Sequence, residues 1–116
     1  MTATTIYHNP RCSKSRITLA LLKENGVNPT VVLYLDSPPD IKELKALLKK
    51  LGMAAAQLVR RGEEAYKASG LNRDSDEEEI LAAMATYPKL IERPIVVKGR
   101  AAVLGRPPEN ILELIK

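Results

Sequence analysis

The chain has 116 residues, 45% apolar and 28% charged, an ordinary composition for one globular domain with a single core. No run approaches the roughly 18 apolar residues of a membrane span and no signal-peptide pattern opens the sequence, so a cytoplasmic protein without a membrane partner is expected. The net charge of +4 is scattered and interrupted by the acidic run Asp74 to Glu79; with four Tyr and no Phe or Trp for base stacking, nucleic acid is set aside as a partner.

Thr4 to Tyr7 is a short β-prone run closed by Asn9-Pro10, which predicts a strand and a turn. Ile17, Leu19, Ala20, Leu21 and Leu22 predict a helix apolar on most sides, stopped at Asn25-Gly26. The nearly continuous apolar run Thr30 to Leu35 predicts a buried strand, broken by Ser37-Pro38-Pro39-Asp40. This β-α-β opening implies parallel strands and a right-handed crossover.

The middle of the chain predicts helices. Ile41, Leu44, Leu47, Leu48 and Leu51 fall at helical spacing between an Asp40 N-cap and a Gly52 stop. Met53 to Arg61 and Glu63 to Ala68 predict two shorter helices, separated at Gly62 and ended by Gly70. A further helix is expected over Asp76 to Ala85, capped by Asp74 or Ser75, with Ile80, Leu81 and Met84 turned inward and the acidic run in its solvated first turn. Pro94 to Val97, Lys98-Gly99 and Arg100 to Leu104 predict a hairpin. Arg106-Pro107-Pro108 ends it, and Pro108 opens a last helix from Glu109 to Ile115. With no repeat or linker, one domain over 1–116 is expected.

Cys12 is the only cysteine, which excludes an internal disulfide and agrees with a reducing compartment. It falls where the first strand gives way to the first helix, with His8, Arg11, Lys14 and Arg16 close in sequence. A helix N-terminus and nearby cations favour a thiolate. A lone intracellular cysteine is more often a small buried hydrophobe; the polar, cation-rich turn is what marks Cys12 as a nucleophile. The Cys-x5-Arg phosphate loop is excluded, since the sixth residue after Cys12 is Thr18.

Two parallel strands, a helical insertion, an antiparallel hairpin and a final helix describe an α/β thioredoxin-like (glutaredoxin-like) fold with a mixed four-stranded sheet. The segments Tyr7-His8-Asn9-Pro10-Arg11-Cys12-Ser13-Lys14-Ser15-Arg16, Val32-Leu33-Tyr34-Leu35, Leu90 to Val97 and Gly105 to Glu109 resemble the glutathione- and glutaredoxin-linked arsenate reductase family, in its shorter chromosomal branch. The resemblance covers essentially the whole chain. It implies reduction of arsenate to arsenite by a Cys12 thiolate, with glutathione as co-substrate, glutaredoxin as protein partner and no metal. It also implies that Arg60, Arg93 and Arg106 hold the oxyanion, that His8 and Ser15 help ionise the thiol, and that Pro94 is cis.

Taken singly these residues have plainer readings. Arg60, beside Arg61, suits a helix C-terminus, and Arg93 and Arg106 each precede a proline at a strand boundary; the joint match carries the assignment. The loop Ser13-Lys14-Ser15 departs from the smaller residues, such as Gly and Thr, of the resembled enzymes. Two alternatives share the fold: a glutathione-linked thiol oxidoreductase acting on another electrophile, and an RNA-polymerase-binding regulator. The regulator's Cys-x-x-Cys switch is missing, since Ser15 stands at the second position. A monomer is expected, because a compact enzyme of this size needs no partner subunit to form its site.

Overall fold

The computed structural model describes residues 3–115; Met1, Thr2 and Lys116, the ends of the expected domain, lie outside the described residues. The chain divides into two compact units, one formed by the residues up to Ser37 and those from Arg93 onward, the other by Pro38–Glu92.

The first unit is built on a four-stranded sheet in the order β2-β1-β3-β4, with β1 Thr4–His8, β2 Thr30–Leu33, β3 Ile95–Lys98 and β4 Ala101–Leu104. β1 runs parallel to β2, with His8 opposite Leu33, and antiparallel to β3, with Tyr7 opposite Ile95. Thr4, Ile6 and His8 alternate inward, the period-2 pattern of a central strand. β3 and β4 form a hairpin with Lys98 opposite Ala101; Gly99 takes φ +63° in its two-residue turn, a conformation that costs glycine nothing.

β2 departs from expectation. Its apolar run predicts a buried strand, yet β2 is an edge strand with Val31 42% and Leu33 40% exposed. Tyr34, one residue past its end, is the buried group, at 2%. A continuous apolar run does not distinguish a central strand from an edge; neighbours in the sheet do.

α1 Ser13–Glu24 crosses back from β1 to β2. It ends at Asn25, and Gly26 follows with φ +78°, a helix stop by left-handed glycine. Its buried face is Ser15, Thr18 and Leu22, one side of a helix by spacing, whereas Ile17 is 53% exposed. The expected helix, apolar on most sides, is corrected here: its inward face is polar at the end nearest Cys12. Ile6, Leu22, Val96 and Ile111 form the core of this unit. Its C-terminal helix begins as a 3-10 turn, Pro108–Asn110, and continues as the α-helix Ile111–Ile115.

In the second unit, α2 Ile41–Leu51 is capped by Asp40, whose carboxylate accepts the Glu43 N–H at 2.8 Å. α2 buries Leu44, Leu47 and Leu48 and packs on α5 Glu77–Thr86. The α5 cap is Asp76, in a capping box with Glu79, rather than Asp74 or Ser75; the box satisfies the Glu79 N–H and the Asp76 N–H reciprocally, which fixes the start. Between them α3 Ala55–Leu58 is shorter than the helix expected over Met53 to Arg61, while α4 Glu64–Ala68, with Glu63 as its N-cap, matches the one expected over Glu63 to Ala68. The segment after α3 leaves the helix because Val59 forms an antiparallel bridge to Ile91. No described helix is long and apolar enough to cross a membrane.

Candidate active site

The polypeptide leaving β1 turns at Asn9-Pro10-Arg11, held by the Cys12 N–H donating to Asn9 O at 3.0 Å and the Arg11 N–H donating to Asn9 Oδ1 at 3.0 Å. This delivers Cys12 to the N-cap of α1, in extended conformation (φ −95°, ψ 123°). Its carbonyl accepts the Arg16 N–H at 3.0 Å. The Cys12 side chain makes no cap hydrogen bond, so its sulfur is not committed to the helix's own N–H groups. The residue retains 9% exposure.

The cation at the sulfur is Arg106, with Nη2 3.8 Å from Cys12 Sγ. Arg106 Nε donates to the Arg93 carbonyl at 2.7 Å, and Asn110 Nδ2 donates to the Arg106 carbonyl at 3.1 Å and the Leu104 carbonyl at 3.2 Å. Side chain and loop are therefore both tethered. The Arg93-Pro94 bond is cis, as the resemblance implies, and so is Arg106-Pro107. Gly105 donates to the Pro94 carbonyl at 2.9 Å. A Cβ on Gly105 would stand 2.6 Å from Thr18 Oγ1 and 2.8 Å from Pro94 Cγ; at this close approach only a hydrogen fits.

Of the cations near Cys12 in sequence, Arg16 turns to the Pro10 carbonyl, donating from Nη1 at 3.0 Å, and Arg11 and Lys14 are exposed. His8 is 6% exposed. Its Nδ1 lies 2.6 Å from Ser15 Oγ, and the same oxygen accepts the Asn9 N–H at 3.0 Å. Burial, followed by the positive charges of Arg16 and Lys23, pushes His8 below its ordinary 6.5. At neutral pH it is uncharged. His8 thus adds no positive charge beside the thiol; what it holds in place is Ser15 and, through it, the turn before Cys12.

Arg60 belongs to the second unit. Its N–H donates to Leu90 O at 2.7 Å, and its guanidinium meets Glu63 (Nη1 to Oε1, 3.0 Å) and Glu92 (Nε to Oε1, 3.6 Å). Glu63, Thr18 and Asn110 carried no functional signal in the sequence, and Glu92 and Gly105 lay inside the resembling segments without an assigned role; Thr18, Gly105 and Asn110 support the first unit's site. Among the described residues no group of three His, Cys, Asp or Glu is placed to hold a metal ion.

A four-stranded β2-β1-β3-β4 sheet with a cysteine at the N-cap position of the helix after β1 defines the class as thioredoxin-like. The sequence model of the ArsC family matches residues 7–114, and the chain belongs to that family. It is 57% identical over 112 residues to the YfgD protein of Escherichia coli K12, covering 95% of this chain and 94% of the relative. To an arsenate reductase of Neisseria meningitidis serogroup A it is 51% identical over 108 residues, covering 91% and 92%. The solved arsenate reductase of Vibrio cholerae superposes with a TM-score of 0.92 at 48% identity, covering 97% of both chains.

Proposed function

We propose that this protein reduces arsenate to arsenite, with Cys12 as the sole nucleophile and with glutathione and glutaredoxin as reductants. The observation that carries the reading is Arg106, anchored on the Arg93 carbonyl and 3.8 Å from the Cys12 sulfur. A thiolate and a dianion about 4 Å apart repel by roughly 8 kcal/mol at an effective dielectric near 20, so the reaction needs fixed cations. Arginine suits the task because it stays charged and offers a planar fork to a tetrahedral oxyanion. In this reading Arg93 and Arg106 share the oxyanion, Arg60 is the third arginine of the set, and Ser15, held by His8, donates toward the sulfur.

The Cys12 thiolate attacks arsenic, an S–As bond forms and an arsenate oxygen leaves as water after protonation. Glutathione thiolate then attacks the Cys12 sulfur. The S–S bond forms, the S–As bond breaks with its electron pair passing to arsenic, and arsenite departs. Glutaredoxin with a second glutathione removes the mixed disulfide and restores the thiol.

The test is arsenate-dependent NADPH oxidation by the purified protein with glutathione, glutaredoxin and glutathione reductase. Turnover that disappears in Cys12→Ser is expected. Turnover with another electrophile but none with arsenate would overturn the assignment and select a glutathione-linked oxidoreductase.

A further inference from the structure

Val59 and Ile91 pair across an antiparallel bridge and both are buried, at 7% and 2%. Side chains alternate across extended backbone, so their neighbours Arg60 and Glu92 emerge together on the opposite side. The pairing is locked from both flanks by Arg60 N–H to Leu90 O at 2.7 Å and Glu92 N–H to Leu58 O at 3.0 Å. Glu63 reaches the same guanidinium from three residues along the chain. All three side chains are about a quarter to a third exposed, and they line a cavity of about 490 Å³ together with Arg61 and Gly62. The formal charges of Arg60, Arg61, Glu63 and Glu92 cancel.

An arginine assigned to grip an oxyanion is here already held by two carboxylates. We propose that Glu63 and Glu92 are positioning residues that act as built-in competing anions on Arg60, weakening its grip on tetrahedral dianions and so setting how tightly the enzyme holds its substrate. The inference rests on the reading that Arg60 is an oxyanion ligand. An incoming dianion either displaces the Glu63 and Glu92 carboxylates from the guanidinium or binds beside them against like-charge repulsion. Both routes oppose binding in proportion to the carboxylate charge. Removing one carboxylate leaves Arg60 less well satisfied in the free enzyme, and the oxyanion gains what the carboxylate no longer supplies. Binding therefore tightens while the chemical step at Cys12 is left alone. The same devices keep Arg60 from being trapped by inorganic phosphate, a tetrahedral anion of the same charge and shape.

The experiment is steady-state kinetics on the full chain for the wild type, Glu63→Gln, Glu92→Gln, Arg60→Gln and the Arg60→Gln/Glu92→Gln double variant, with inorganic phosphate as a non-reducible competitor. Each Glu→Gln variant is expected to lower both KM for arsenate and the phosphate inhibition constant by roughly tenfold, with kcat within about twofold of wild type. In the Arg60→Gln background Glu92→Gln should lower KM less than it does beside Arg60, since only direct repulsion of the dianion remains; a carboxylate that merely held Arg60 in place would raise KM when removed from the wild type. Unchanged or raised KM in both Glu→Gln variants, alongside a raised KM in Arg60→Gln, would overturn the proposal and leave Arg60 as a ligand. An Arg60→Gln enzyme with wild-type KM and phosphate inhibition would remove Arg60 from the site and the proposal with it. The two isosteric Glu variants are read separately, so poor folding of one leaves the other decisive.

Discussion

Arg106 joins two distant parts of the sequence: its Nε donates to the Arg93 carbonyl at 2.7 Å while its Nη2 stands 3.8 Å from the Cys12 sulfur. A lysine has one nitrogen and reaches only one of these partners. Arg106→Lys is expected to retain the net charge and still lose roughly 10- to 100-fold in kcat/KM, the equivalent of one charge-assisted hydrogen bond of about 1.5–3 kcal/mol. The rate of Cys12 alkylation at fixed pH should fall as well. Wild-type alkylation and turnover in the lysine variant would mean that charge alone suffices.

His8 supplies a pH dependence of definite sign. Its pKa is depressed by burial and then by Arg16 and Lys23, so between that depressed value and the 6.5 of an unfolded histidine the unfolded chain binds more protons. Stability then rises with pH through this window. The contribution is fully present above about 6.5 and is lost as the pH falls through the folded value. Thermal melts between pH 7.5 and 5 should show the wild type losing Tm more steeply than His8→Asn. Parallel profiles for the two proteins would show that His8 does not drive the acid sensitivity.

Gly105 lies against Thr18 and Pro94, and an added methyl would sit 2.6 Å from the Thr18 hydroxyl oxygen and 2.8 Å from Pro94 Cγ. The proline ring is rigid and the threonine is fully buried, so neither yields readily. Gly105→Ala should destabilise the protein by about 1–3 kcal/mol through overpacking, read as a lower urea midpoint. Because Gly105 immediately precedes Arg106, turnover should drop too. A variant as stable and active as wild type would show that Thr18 adopts another rotamer without penalty.

Cys12 has no second thiol in the chain, so its oxidised form is resolved only by an external one. With arsenate and glutathione present and glutaredoxin omitted, intact-protein mass spectrometry should find one glutathione on Cys12, which glutaredoxin then removes. Multiple turnovers supported by thioredoxin alone, with no adduct at any time, would require a different reductant.

The sequence by itself carried the element order, the Asp40 cap and the Gly26 and Gly52 stops, because caps, glycine stops and apolar spacing are local properties of the backbone. It also marked Cys12, through the strand-to-helix turn around it, and its segments resembled one family along the whole chain. Tertiary structure decided the rest. Sheet order made β2 an edge, although its composition reads as buried. Helix geometry turned Ile17 outward and Ser15 and Thr18 inward, since position on a helix face depends on what lies opposite. Arg106, 94 positions from Cys12, is the cation at the sulfur, whereas Arg16, four positions away, bonds the Pro10 carbonyl. Glu63 and Glu92 meet Arg60 through a turn and a bridge between separated segments. Charge acts over a few ångströms of space, and sequence distance does not measure it.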